Sequence, residues 1–189
     1  DGIRDVAVTG VQTCALPIFI VGRFQGRHQR IPREAQASLA RQVMRVAIIV
    51  SRFNDFVTEP LLEGARAALV DAGLRDTDID VWRVPGAFEV PMAAQRVAES
   101  GKVSAVVCLG CLIRGATPHF EYIASACAHG ITAAAASTGV PMAFGVLTTN
   151  SIEEAMERAA PGPSNKGREA AEAALEMARL FAEIGDGRA

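Results

Sequence analysis

The densest run of residues that could do chemistry is Gly110-Cys111-Leu112-Ile113-Arg114-Gly115-Ala116-Thr117-Pro118-His119-Phe120. Gly115, followed by the small Ala116 and Thr117 just ahead of a helix start, offers backbone N–H groups to an anion. His119 falls at the helix start itself, where the dipole disfavours the imidazolium and leaves a neutral imidazole for proton transfer. His129, ten residues on inside an alanine-rich helix, has no such setting and reads as structural. Three other segments carry candidates. Ser51-Arg52-Phe53-Asn54 places the Phe53 ring where it could stack on a planar heterocycle. Val84-Pro85-Gly86-Ala87-Phe88-Glu89 makes a tight Pro-Gly turn and sets Glu89 at a helix start, which favours a carboxylate. Arg158 and Lys166, the latter within Asn165-Lys166-Gly167, form a basic pair that suits a phosphate held from a second side. Taken singly, these residues read as a capping aromatic, a helix-start acid and solvent-facing charges; together with the anion loop they suggest a site. The chain carries neither G-x-x-x-x-G-K-[ST] nor G-x-G-x-x-G, which weakens ATP and dinucleotide readings.

Cys108 and Cys111 spell C-x-x-C. A redox pair normally opens a helix, which lowers one thiol's pKa, whereas Cys108 falls inside an apolar strand pattern. With no second pair to complete four ligands, and with Cys127 wrongly spaced, zinc does not fit either. Neither redox nor metal use is expected of these cysteines.

The elements that must position these residues alternate in sequence. Residues 46–50, 79–84, 103–109 and 141–146 are short apolar runs of the kind that form strands buried on both faces. Between and after them the sequence predicts a helix capped by Thr58, with Pro60 in its first turn and Gly73 as its stop. Further helices follow over about 90–99, 120–137, 152–159 and 166–184. Four strand–helix repeats imply an α/β fold: a three-layer α/β/α sandwich around a four-stranded parallel sheet, flavodoxin-like, in the order 2-1-3-4. In such sheets ligands bind at the carboxyl ends of the strands, where all the candidate segments lie. The run 133–136 is a small-residue helix face, suited to close approach by a helix of a neighbouring subunit.

The chain has 189 residues, 50% hydrophobic and 21% charged, enough for one domain with a core and too apolar for disorder. No apolar run approaches the roughly 20 residues of a membrane span. Four cysteines are too sparse for a disulfide scaffold, so a cytoplasmic, reduced protein is expected. Charge is uneven: residues 1–45 hold seven arginines against three acids, and the remainder 12 basic against 18 acidic residues. Residues 11–18, Val-Gln-Thr-Cys-Ala-Leu-Pro-Ile, read like a translated adapter fused in frame, and the stretch fails as a signal peptide. We therefore read 1–18 as a foreign segment, 19–44 as an extension of uncertain origin, and 45–189 as the domain. The arginines between Arg23 and Arg33 carry no nucleic-acid motif, and neither nucleic acid nor membrane is expected as a partner.

From Arg45 to about Leu180 the chain resembles the lumazine synthase family, the 6,7-dimethyl-8-ribityllumazine synthases of riboflavin biosynthesis. The resemblance rests on five ordered motifs: Arg52-Phe53-Asn54-Asp55, Val84-Pro85-Gly86-Ala87-Phe88-Glu89, Ile113-Arg114-Gly115-Ala116-Thr117-Pro118-His119, Phe144-Gly145-Val146-Leu147-Thr148-Thr149 and Asn165-Lys166-Gly167. It implies that the enzyme condenses 5-amino-6-(ribitylamino)uracil with 3,4-dihydroxy-2-butanone 4-phosphate and uses no metal or cofactor. Phe53 would stack on the pyrimidine, and Ala87, Phe88 and Glu89 would line its site, Glu89 through the ribityl hydroxyls. Cys111, Leu112 and Ile113 would hold the heterocycle through backbone groups. Ala116 and Thr117 would bind the phosphate and His119 would shuttle protons. Phe144, Arg158 and Lys166 would complete the site, with Phe144 and the basic residues on opposite sides of a subunit boundary. The resemblance also implies pentamers, in some members twelve of them closed into a hollow sixty-subunit shell, and riboflavin synthase as a partner. Before Lys166 this chain reads Pro161-Gly162-Pro163-Ser164, where the family usually has a small-residue loop with a lysine; that loop bears on how pentamers meet. Two other classes remain as alternatives: a lumazine- or flavin-binding protein, which would need the stacking ring but not His119, and a structural shell protein, which would not need the anion loop. Deleting residues 1–18 is expected to leave Tm unchanged; a substantial loss would show that the segment belongs to the fold.

Overall fold

The computed structural model describes residues 44–185. The suspected foreign segment 1–18, all but the last residue of the extension 19–44, and residues 186–189 lie outside the described residues. Four parallel strands form one sheet: β1 (Val46–Ser51), β2 (Ile79–Val84), β3 (Ala105–Ile113) and β4 (Met142–Thr149), in the order β2-β1-β3-β4. Helices α1 (Asp55–Asp71), α2 (Val90–Glu99), α3 (His119–Thr138), α4 (Ile152–Ala159) and α5 (Lys166–Gly185) connect and follow them.

Side-chain alternation along the strands sorts the core into two layers. Val46, Ile48 and Val50 of β1 and Val107, Leu109 and Cys111 of β3 pack on the side of α1, α4 and α5. Ala47, Ile49, Val106 and Cys108 turn to the other side, against α2 and α3. Every residue of β1 is buried, as a central strand covered on both faces must be. The expected three-layer α/β/α sandwich with order 2-1-3-4 is the observed fold.

The boundaries differ from expectation in instructive ways. β3 begins at Ala105 rather than at residue 103 and runs on to Ile113 rather than stopping at 109, because β4 continues beside it to the pair Ile113↔Thr149. Gly110, which read as the start of a loop, lies inside the strand. A Cβ there would stand 3.3 Å from Val146 Cγ1 and 3.5 Å from Ala87 Cβ, so glycine serves close packing, not a turn. β4 is likewise shifted and longer than 141–146. Helix α1 starts before Thr58, at Asp55, after Asn54 in the left-handed region (φ 60°, ψ 47°). Thr58 is no cap: it is buried, and its hydroxyl donates to Ser51 O at 2.7 Å, satisfying the carbonyl at the end of β1. Pro60 sits inside α1 instead of in its first turn.

Helices α1 and α5 approach at glycines. A Cβ on Gly167 would lie 1.9 Å from Leu61 O, and one on Gly64 would lie 2.2 Å from Asn165 Oδ1. Asn165 itself is buried between them.

The described cysteines are buried thiols. Two residues three apart on a strand point to opposite faces, so Cys108 and Cys111 belong to different core layers and the C-x-x-C spacing brings no pair of sulfurs together. Burial pushes the Cys111 and Cys127 thiols up to about 11. It raises Cys108 as well, with Cys127 adding to the shift.

Two expectations follow from this packing. Gly167→Ala forces the backbones of α1 and α5 apart and should destabilise the chain by about 1–3 kcal/mol in chemical denaturation, whereas Gly185→Ala, whose Cβ meets nothing within 4 Å, should not destabilise it. The raised thiols hold protons that an unfolded chain releases above its ordinary thiol value of 9.0. Their effect is absent while both states hold neutral thiols, and stability should fall as pH rises from 9.0 towards 11. Denaturation midpoints across this range measure the slope, and Cys127→Ala should flatten it.

Candidate active site

The site begins where β1 ends. The Arg52 N–H donates to Val84 O at 2.8 Å and the Phe53 N–H to Pro85 O at 3.1 Å, carrying the β1–β2 ladder into the next turn. Asn54 then reverses the chain in the left-handed conformation, which asparagine tolerates better than most residues. Its Nδ2 donates to Cys111 O at 3.0 Å. The turn is thereby tied to β3, and the Phe53 ring is left 67% exposed at the sheet edge.

β1 pairs with β3 only as far as Val50↔Leu109, so residues 110–113 of β3 have a strand partner on the β4 side alone. Val106 N–H donates to Pro141 O and Arg114 N–H to Thr149 O. Because alternate residues of a parallel strand face alternate neighbours, Cys111 and Ile113 turn their N–H and C=O towards the side that β1 has vacated. Asn54 takes one of these carbonyls, and the Ile113 amide and carbonyl face the space in front. Leu112 turns its backbone to β4 and contributes its side chain instead, which corrects the expectation that all three residues act through backbone groups.

After β2, Pro85 and Gly86 lead into a 3₁₀ turn, Ala87–Glu89. Glu89 folds back so that Oε2 accepts the Gly86 N–H at 3.0 Å. Ala87 is buried beneath the turn and the Phe88 ring is exposed. After β3, residues 114–118 lead to Pro118, the N-cap of α3, and His119 is the first residue of that helix. Arg114 fastens this loop: its Nε donates to Asn150 Oδ1 at 3.0 Å, its guanidinium pairs with Glu121, and it lies 4.4 Å over the Phe120 ring. The hydrogen bond from Arg114 is the main cause that holds the Glu121 carboxyl below the usual range.

These segments enclose a cleft of about 410 Å³, within the size range of small-molecule sites. Phe53, Ala87, Phe88, Glu89, Leu112, Ile113, Thr117 and His119 line it. Its walls are apolar, with the Glu89 carboxylate, the Thr117 hydroxyl and the His119 imidazole as polar points. Such a cleft can stack a flat ring on Phe53, read its edge from Ile113, and receive an anion at the start of α3. Ala116 is exposed on the same loop but does not line the cleft. Cys111 lies beneath it with its thiol in the core.

The other three candidates stand elsewhere in the subunit. Phe144, on the edge strand β4, and Lys166, at the start of α5, line a second groove of about 320 Å³ together. Phe144 and one of the two basic residues, Lys166, thus share a groove of one subunit, so a neighbour seated against that groove meets both. Lys166 Nζ lies 2.7 Å from both carboxylate oxygens of Glu169. Arg158 is exposed on α4, its Nη1 donating to Glu154 O at 3.1 Å, and lines neither space. The sequence reading gave no role to Asn54, Arg114 or Ile123. The first two act through hydrogen bonds to atoms far away in sequence, for which no local pattern exists. Among the described residues no three of His, Cys, Asp or Glu gather in a way that could hold a metal ion. No described helix is long and apolar enough to cross a membrane.

Residues 43–182 match the family model described as 6,7-dimethyl-8-ribityllumazine synthase. A 6,7-dimethyl-8-ribityllumazine synthase of Syntrophus aciditrophicus (strain SB) is 50% identical over 154 residues, which cover 82% of this chain and 100% of that protein. The match spans the sheet, the cleft and the groove alike, and the chain belongs to the 6,7-dimethyl-8-ribityllumazine synthase family.

Proposed function

We propose that the chain joins 5-amino-6-(ribitylamino)uracil to 3,4-dihydroxy-2-butanone 4-phosphate, producing 6,7-dimethyl-8-ribityllumazine with release of phosphate and water. The observation that carries this reading is the single cleft that joins a stacking ring, a free strand edge, a helix start and an imidazole. The uracil ring stacks on Phe53, with its edge on the Ile113 backbone. The ribityl chain runs along the turn of Ala87, Phe88 and Glu89, whose carboxylate accepts from its hydroxyls. The phosphate sits at Ala116 and Thr117, ahead of α3.

In this pose the 5-amino group attacks the ketone of the four-carbon partner, and water leaves as the imine forms. A proton is then removed next to the imine carbon, and the electron pair expels phosphate in a β-elimination. Elimination leaves an enol, which takes up a proton to become a methyl ketone, and the ribityl-bearing nitrogen closes the ring on that new carbonyl with loss of a second water. Every step is a proton transfer or an attack between two held reactants, so positioning and one proton carrier suffice. His119, at the mouth of the cleft, carries the protons.

Phe144, Arg158 and Lys166 complete the site from a neighbouring subunit. Phe53 has a free face for such a neighbour, and Phe144 and Lys166 stand together at the outer edge of the sheet, away from their own cleft. The exposed small residues Ala133 and Ala136 on α3 suit close helix approach, and a closed ring of pentamer type satisfies such head-to-tail contacts. Mixing the purified chain with both substrates and following the lumazine's absorbance and fluorescence tests the reaction. Binding without turnover would favour a carrier, and neither would favour a shell protein.

Two variants should fail differently. His119→Ala is expected to lower kcat by about 10²-fold, the lower end for a lost general acid–base, since positioning persists without it. Arg158→Ala is expected to raise KM for the phosphorylated substrate by about tenfold to a hundredfold, and to leave KM for the pyrimidine nearly unchanged. Equal rises in both Michaelis constants would remove Arg158 from the phosphate site.

A further inference from the structure

One buried amide holds both ends of the α4–α5 junction. Asn165 is 1% exposed and uses its side chain in both directions. Nδ2 donates to Ala159 O at 2.7 Å, Pro60 O at 3.2 Å and Ala160 O at 3.3 Å. Oδ1 accepts from Gly167 N–H at 2.9 Å and Arg168 N–H at 3.1 Å. The last carbonyls of α4 and the first amides of α5 are the groups that lack partners within their own helices, and this single side chain serves both sets. It also pins them to α1 through Pro60.

Capping α5 alone would need only an acceptor, which Ser, Thr or Asp supplies equally well. A side chain that must accept two N–H groups and also serve three carbonyls needs more donors than the single one of a hydroxyl, and an amide supplies them. Room for it comes from Gly64, where a Cβ would stand 2.2 Å from Oδ1. Arg158 directly precedes Ala159, whose carbonyl the amide holds, and Lys166 directly follows Asn165. Each cation is therefore one residue from an atom that Asn165 fixes. Between them runs Pro161-Gly162-Pro163-Ser164, with Gly162 at φ 131°, so the loop by itself has no side chain that measures their separation.

We propose that Asn165 is a positioning residue for the phosphorylated substrate: by clasping the end of α4 to the start of α5 it sets the spacing of Arg158 and Lys166. This rests on the reading above that these two cations bind the phosphate. Asn165 touches no substrate and acts only through the two charged neighbours.

Asn165→Asp keeps the size and the acceptor for α5 but sets a carboxylate against three carbonyl oxygens. Gly64→Ala leaves the amide intact and pushes it from its seat, which gives a second variant if the first does not fold. For each full-length variant the readouts are Tm, KM for both substrates, and competitive inhibition by inorganic phosphate. The expected result is a rise of about tenfold in KM for the phosphorylated substrate, a parallel weakening of phosphate inhibition, and a pyrimidine KM within about twofold of the parent. A lower Tm with both KM values unchanged, or equal rises in both, would overturn the positioning role. If Arg158→Ala raises the phosphorylated substrate's KM and Asn165→Asp does not, the positioning role alone falls. If Arg158→Ala and Lys166→Ala both leave that KM unchanged, the cation reading falls and takes the positioning role with it.

Discussion

Of the two interior strands β3 is longer than β1, and the cleft exists because of that mismatch. β3 outruns β1 by residues 110–113, and a strand with one bare side must satisfy its backbone groups by other means. Asn54 covers one carbonyl by reaching across from the turn after β1. That reach requires the left-handed conformation at Asn54, and this in turn throws the Phe53 ring out to the rim. The remaining bare edge at Ile113 becomes the floor of the cleft. Were β1 as long as β4, the same residues would be sheet interior and no ligand could approach them.

Much of this architecture is visible in the residues alone, for a simple reason. Strands buried on both faces are continuous apolar runs, and the helices between them end at glycines; Gly73, Gly101 and Gly139 all adopt the positive φ that helix ends favour. The elements and their order could therefore be read. Strand ends could not, because Gly110 looks the same whether it opens a turn or makes room for Val146 and Ala87. Thr58 likewise has the composition of a cap but spends its hydroxyl on Ser51 O. In both cases the deciding contact comes from a distant part of the chain.

The candidate site divides along the same line. The segments after β1, β2 and β3 must converge in any sheet of this order, so Phe53, Glu89 and His119 could be placed together from topology. Nothing local says that Phe144 and Lys166 share a groove, since that depends on how α5 lies along the edge strand. The tripeptide Asn165-Lys166-Gly167 shows how compressed such information can be. Its first residue is a clasp, its second a charge at the groove, and its third an absence of side chain that lets α5 touch Leu61 O. As a string it reads only as a helix start with one positive charge.

The sheet also separates what supports the cleft from what supports the start of α5. The cleft rests mainly on the layer of α2 and α3, through Ala87, Leu112 and Ile123, whereas the start of α5 rests on the layer built with α1 and α4. Substitutions in layers that share no side-chain partners tend to act independently. Changes beneath the cleft and changes beneath the start of α5 can then accumulate separately. Such a partition makes the strands of the sheet the boundary between two separately evolvable modules.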